Sequence, residues 1–184
     1  MQTTNRPRRG PQWRTHMPSM YSFSVPVFQR GLQNLSVYLD KIEAHAAEKG
    51  IAAEELISAR LIDDMLPLSG QYQRASDTAK LTISRLAGID APRFEDNEAT
   101  VADLRERLKK TQDFLTTVTP ATMEGSDTRE VTIAPGGNKI VFKGEDYLAK
   151  FALPNFFFHV TTAHDILRSR GLSIGKMNYL GSFA

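Results

Sequence analysis

Three polar side chains, Asn155, His159 and Thr162, are spaced to share one face of a helix, at intervals of four and three residues. They flank an apolar series in the same segment, so we expect a polar stripe that faces a cleft beside the core. An imidazole that faces such a cleft is a candidate acid–base group. The alternative is that His159 is a core histidine, hydrogen-bonded to a neighbouring helix.

A second pair of polar residues, Asp64 and Gln71, lies seven residues apart and is therefore expected on one side of the second long helix. A carboxylate opposite His159 would make an acid–base pair or a mixed oxygen–nitrogen metal site. The helix dipole by itself also explains an aspartate at a helix start. Asp64 and Gln71 complete the candidate cleft, and no residue is assigned a catalytic role.

The remaining histidines do not extend this set to a metal site. His159 and His164 are five residues apart, about 140° around a helix, so they do not bind one metal together. Asp77 and Lys80 are expected to form a solvated or intrahelical pair. We therefore predict no cofactor, and a divalent metal held through His159 is the alternative.

The elements that carry these residues follow from helical periodicity. Apolar residues recur at intervals of three and four in four long segments, each bounded by a proline, a glycine or a capping residue. A short helical lead-in, Ala53–Leu61, precedes the second of them. The four predicted helices span Ser24–Lys49, Asp64–Leu86, Val101–Val118 after an N-cap at Thr100, and Glu145–Arg170 with an interruption at Pro154.

The period changes to two between the third and fourth helices. Two β-branched runs, Glu130–Ile133 and Lys139–Phe142, alternate on either side of a Gly-rich turn, which predicts a β-hairpin. The segment from Leu172 to Ala184 has no clear period. The pattern predicts an all-α protein, an up-down four-helix bundle with a small β-hairpin between helices 3 and 4.

Composition excludes several classes. The chain has 184 residues and no cysteine, which rules out disulfides, thiolate metal sites and a cysteine nucleophile. Residues 1–20 carry four arginines and no acid, so the formal charge of +2 leaves −2 for the remainder. A body of that charge does not suit phosphate, so we expect no nucleic-acid partner. No apolar run approaches the roughly 18 residues of a membrane span.

The first residues are expected to be a separate segment. Residues 1–19 are rich in arginine and proline and lack a hydrophobic period, which predicts a disordered basic extension before a folded domain at 20–184. Such acid-poor, Arg-containing N-termini resemble mitochondrial transit peptides. We predict a cytoplasmic protein, with a mitochondrial location as the alternative.

Three motifs carry a family resemblance: Met20–Phe28 (MYSFSVPVF), Asp64–Leu68 (DMLPL) and Phe151–Ala163 (FALPNFFFHVTTA). Together they resemble an uncharacterised domain-of-unknown-function family of the DinB-like (YfiT-like) metalloenzyme superfamily. The resemblance covers about residues 20–181. It implies an up-down four-helix bundle, often dimeric, and no established activity.

The superfamily's metal-binding members are known for one histidine on the second helix and a His-x-x-x-His pair on the fourth. If Asn155 and His159 occupy the place of that pair, only its second histidine remains. The second helix offers Asp64 or Gln71 instead of histidine, and His164 stands where the family is expected to have tyrosine. The resemblance therefore supports the fold more than a metal site.

These observations define the functional hypotheses. The first is an uncharacterised helical-bundle protein, non-catalytic or small-molecule-binding, with its cleft on the fourth helix. The alternatives are a divalent-metal-dependent DinB-like enzyme of the thiol transferase or hydrolase type, and a helix-turn-helix-like DNA-binding protein. The expected partners are a second copy, bound through the bundle helices, and a small-molecule ligand; no nucleic acid or membrane is expected.

Overall fold

The computed structural model describes residues 19–181, which form a mostly helical fold with one small antiparallel sheet. The prediction of a disordered extension at residues 1–19 falls almost wholly outside this range and stays a prediction.

The first helix, α1, spans Val25–Lys49 and confirms the predicted element to within one residue. Pro26 lies in its first turn, where a missing N–H costs no helical hydrogen bond. Gly50 ends the helix with a φ of 65°, a left-handed conformation that glycine adopts without strain.

The next two helices are α2, Ala53–Ile57, and α3, Leu68–Ala87. The predicted start of the long helix at Asp64 is wrong, because Asp64 lies in the turn before α3 and is exposed. Pro67 explains the difference: a proline disfavours helical geometry in the residue before it, so the helix begins immediately after Pro67.

The third long helix, α4, spans Val101–Thr116. Thr100 is its N-cap, as predicted: the Thr100 hydroxyl accepts from the Asp103 N–H at 3.2 Å, and the Asp103 carboxylate accepts from the Thr100 N–H at 2.9 Å. This reciprocal pair satisfies two N–H groups that have no partner within the helix.

The predicted hairpin is confirmed. Strands β1, Glu130–Ile133, and β2, Ile140–Lys143, pair antiparallel with Glu130 opposite Lys143. The turn between them passes through Gly136 and Gly137, whose φ values of 59° and 86° suit glycine.

The last long helical region is continuous where an interruption was predicted. It consists of α5, Gly144–Tyr147, a π-helical turn, Leu148–Ala152, and α6, Leu153–Ser169. The wider π turn lies directly before Pro154, whose missing N–H would leave a carbonyl of an ordinary α-helix without a partner. The chain thus passes the proline without breaking.

After α6, a short helix, α7, spans Lys176–Leu180, in a segment whose sequence has no clear period. Asn34 of α1 donates its side-chain amide to the Tyr179 carbonyl at 2.5 Å, and the Thr161 and Tyr179 hydroxyls are 3.0 Å apart. Contacts distant in sequence therefore fix this segment.

The four long helices pack around one apolar core: α3 contacts α1, α4 and α6, and α1 contacts α4 and α6. Each of the four predicted apolar series contributes side chains to this core. Fully buried side chains of the core include Phe28, Leu32, Leu35, Leu39, Tyr72, Ala79, Leu104, Leu115, Phe156 and Ala163. Among the helices of residues 19–181, none combines the length and apolarity needed to cross a membrane.

Candidate functional site

His159 of α6 contacts Gln71 of α3, one of the two residues that the sequence offers opposite it. The His159 Nδ1 atom lies 2.8 Å from Gln71 Oε1, and Gln71 Nε2 donates to the Leu66 carbonyl at 3.0 Å. Gln71 is 1% exposed, whereas His159 is half-buried. The core-histidine alternative, with a hydrogen bond to a neighbouring helix, matches this geometry.

The hydrogen bond fixes the tautomer of the neutral imidazole. The Gln71 carbonyl oxygen only accepts, so Nδ1 carries a proton, and in the neutral form Nε2 holds the lone pair. Burial, with a smaller contribution from the positive charge of Arg74, lowers the pKa of His159 to about 4. His159 is therefore neutral at pH 7.

Asn155 has a different partner. Its side-chain amide donates to the Thr78 hydroxyl at 2.7 Å. Thr78 lies seven residues beyond Gln71, so the two contacts are separated along α3 by about 10 Å. Asn155 and His159 share one face of α6, but they do not converge on a common partner.

The other two candidates stay apart from this pair. Thr162 is buried, and its hydroxyl donates to the Phe158 carbonyl of its own helix at 2.8 Å. Asp64 is exposed in the turn before α3. Of the five candidates, the structure brings His159 and Gln71 together and leaves Asp64 outside their interface.

The contacts of His159 and Asn155 belong to a polar series along the α3–α6 side of the fold. Nearer the other end, the Tyr147 hydroxyl of α5 accepts from Arg85 Nη1 at 2.8 Å and lies 3.3 Å from the Thr82 hydroxyl. Side-chain hydrogen bonds at three levels fix the register of the two helical segments, because a shift would leave buried polar groups unpaired. Within the described residues, no buried side-chain nitrogen or oxygen lacks a partner.

The side chains at the α3–α6 contact do not suit the metal site that the DinB-like resemblance implies. One imidazole and two carboxamides are present, and the Gln71 oxygen faces His159 Nδ1 and not the Nε2 lone pair. A transition-metal site of this kind needs about three strong ligands. Across residues 19–181, no group of three or more His, Cys, Asp or Glu side chains is arranged to hold a metal ion.

His164 has a separate role, in agreement with the five-residue spacing that separates it from His159. Its Nδ1 lies 2.7 Å from the Tyr38 hydroxyl of α1. Burial lowers the pKa of His164 and raises the pKa of Tyr38 above its ordinary value. This contact therefore joins α6 to α1, away from α3.

The sequence interpretation missed a buried ion-pair network centred on Arg107 of α4. The Arg107 side chain is 2% exposed and contacts three carboxylates, Asp77 at 2.8 Å, Glu98 at 2.7 Å and Asp96 at 3.0 Å. Its Nη1 also donates to the Glu95 carbonyl at 3.2 Å.

Lys80 extends this network on α3. It pairs with Asp77 at 3.0 Å, as the predicted intrahelical pair, but its side chain is 6% exposed and donates to the Pro92 carbonyl. The ammonium of Lys80 and the guanidinium of Arg107 both lie over the Phe94 ring. The network thus fastens the connection between α3 and α4 to both helices.

The lowered pKa of His159 predicts a pH dependence of stability. Between about pH 6.5 and pH 4, the unfolded chain binds a proton at His159 that the folded chain does not. Wild-type stability should therefore fall as the pH drops through this window, relative to His159→Gln, which does not titrate. Urea unfolding at pH 7 and pH 4.5 measures the difference; His164 titrates in both proteins and cancels. Parallel losses in the two proteins would contradict the prediction.

Comparisons with known proteins agree with this fold. The family model described as "Domain of unknown function (DUF1993)" matches residues 20–180. The chain is also similar to a DinB family member protein from Shewanella denitrificans, whose crystal structure was determined at 1.83 Å resolution. The two sequences are 35% identical, the structures superpose with a TM-score of 0.84, and the match covers 89% of this chain and 92% of that chain. A comparison with curated proteins finds no match. The recognised motifs, the matched range and the shared fold together place the chain in the DUF1993 family, with a DinB family member as a structural relative.

Proposed function

We propose that this protein is a non-catalytic, small-molecule-binding member of its family, built as an up-down four-helix bundle. The observation that supports this proposal best is the contact between His159 and Gln71. Among residues 19–181, His159 is the one imidazole on the α3–α6 face; it is neutral at pH 7, and its N–H donates to the buried Gln71 carbonyl oxygen.

General acid–base catalysis near neutral pH requires a group whose pKa lies close to the working pH. A pKa of about 4 leaves His159 almost entirely unprotonated at pH 7, so it is a poor acid there. The neighbouring Asn155 and Gln71 side chains do not titrate. The arrangement suits a structural role for His159, which holds α3 and α6 together. The function that we propose for the protein is the binding of a small molecule.

The test is the metal content of protein purified without a nickel column, together with the stability of His159→Ala. We expect metal well below one equivalent. We also expect His159→Ala to lower the free energy of unfolding by about 1–3 kcal/mol, because the buried Gln71 oxygen loses its partner.

His45 provides the control, since it is a half-buried histidine on α1, outside the α3–α6 interface. His45→Ala should change the unfolding free energy by no more than about 0.5 kcal/mol. Stoichiometric zinc or nickel that disappears in His159→Ala would replace this proposal with that of a metal-dependent thiol transferase or hydrolase.

We also propose that two copies of the chain associate through the long helices. Phe158 of α6 and Val37 of α1 support this, because they are 55% and 37% exposed on the outside of the fold. Sedimentation analysis should give twice the chain mass of 20.6 kDa. A chain that is still monomeric at about 100 μM would contradict this proposal, because the dissociation constants of most specific dimers lie below that concentration.

A further inference from the structure

A groove of about 260 Å³ lies where α1, α6 and α7 meet, on a different side of α6 from the contact with Gln71. Its apolar walls come from all three helices: Val27 and Gly31 of α1, Phe157 and Val160 of α6, and Leu180 of α7. Such concave apolar spaces are where small molecules bind most often.

The close approach of α1 and α6 produces the floor of this groove. Phe156 is fully buried, and its ring would overlap any Cβ atom at position 31, so a glycine is required there. Val160, one turn further along α6, is 1% exposed beside it. The floor is therefore closely packed and apolar.

The third wall, α7, is fixed in place. The Asn34 amide donates to the Tyr179 carbonyl, the Tyr179 hydroxyl bonds with Thr161, and Arg30 Nε donates to the Leu180 carbonyl at 2.8 Å. These bonds tie α7 to both α1 and α6. A site with walls fixed in this way loses little entropy when a ligand enters.

Volume and polarity define the ligand. The groove exceeds the roughly 150 Å³ that holds benzene and falls below the roughly 300 Å³ at which sites for drug-sized molecules begin. Its polar lining residues, Arg30, Asn34 and Tyr179, are already bonded within the fold: Arg30 donates to the Leu180 carbonyl and Asn34 donates to the Tyr179 carbonyl. A charged ligand group would lose hydration and would have to compete with these bonds for a partner.

We propose that this groove binds an uncharged aromatic molecule of one or two fused rings, about the size of indole or naphthalene. This inference rests on the proposed binding role and gives it a site and a ligand class.

The test is a titration of the full-length protein with indole, followed by the backbone amide resonances of the chain. We expect saturable shifts centred on Gly31 and Val160. Val27→Phe fills the groove from a half-buried position and should weaken binding at least tenfold. Phe157→Ala removes a wall from an exposed position and should weaken it as well.

The matched control is Val141→Phe, the same change at a valine of β2 that is 53% exposed and outside the groove. It should bind indole like the wild type, and the melting temperatures of all the variants verify that they fold. Absent or non-saturable shifts, or unchanged binding in both groove variants, would overturn the proposal.

Two further results would assign the groove to another occupant and also overturn it. One is indole binding that requires deletion of residues 182–184, and the other is a shift of the groove amides with protein concentration alone. If the protein binds metal through His159 and also binds indole in the groove, the non-catalytic role is refuted and the groove proposal stands. If it binds neither metal nor indole, the groove proposal is refuted and the non-catalytic role stands.

Discussion

Replacing Phe156 with alanine is expected to lower the free energy of unfolding by about 3–5 kcal/mol. The Phe156 ring is fully buried and meets the Phe28 ring edge-on, with 4.9 Å between the ring centroids. Gly31 packs against it from α1, so neighbouring backbone cannot easily close the cavity. Denaturant unfolding measures this loss as a lower midpoint with an unchanged slope.

Phe158 is the matched control, two residues further along the same helix. It is 55% exposed, and its closest ring neighbour is His159. Phe158→Ala should therefore change the unfolding free energy of the monomer by no more than about 0.5 kcal/mol, measured at a concentration where wild type and variant are both monomeric by sedimentation. Equal effects of the two substitutions would mean that α6 buries a different face from the one that carries Phe156.

Replacing Arg107 with leucine is the second change with a large expected effect, also about 3–5 kcal/mol. Leucine retains apolar bulk, but it removes the cation that pairs with the Glu98 carboxylate, which is 8% exposed, and one of the cations around Asp77, which keeps Lys80 at 3.0 Å. Uncompensated charge away from water explains the magnitude. The measurement is again the free energy of unfolding in denaturant.

Arg105, two residues before Arg107, provides the comparison. It also contacts two carboxylates, Asp40 at 2.8 Å and Glu43 at 2.9 Å, but it is 40% exposed. Solvent screens such pairs, so Arg105→Leu should cost less than about 1 kcal/mol. A similar cost for both arginines would show that burial of the Arg107 network contributes little.

The sequence was sufficient to predict most of the helices, because apolar periodicity directly reports which face of a helix is buried. The bounds of α1, the N-cap at Thr100 and the hairpin follow from local patterns and agree with the structure. For the residue opposite His159 the sequence offers Asp64 or Gln71, and the structure gives the contact to Gln71 alone.

Other features depend on contacts that local patterns do not contain. The apolar series predicts a helix from Asp64 onward, which would put Asp64 and Gln71 on one side, but the helix begins only after Pro67. Arg107 is adjacent to the apolar face of α4, and an acidic run at 95–98 precedes it. These residues form one network only because the connection between α3 and α4 folds back onto α4. Residue spacing along the sequence does not predict that contact.

The most direct test of a structural, metal-free His159 is a zinc titration followed by the ¹⁵N resonances of its imidazole ring at pH 7. We predict the neutral tautomer with the proton on Nδ1, and resonances that do not change at one equivalent of zinc. A shift of the Nε2 resonance that saturates at one equivalent, and that is absent in His159→Gln, would contradict this role and identify His159 as a metal ligand.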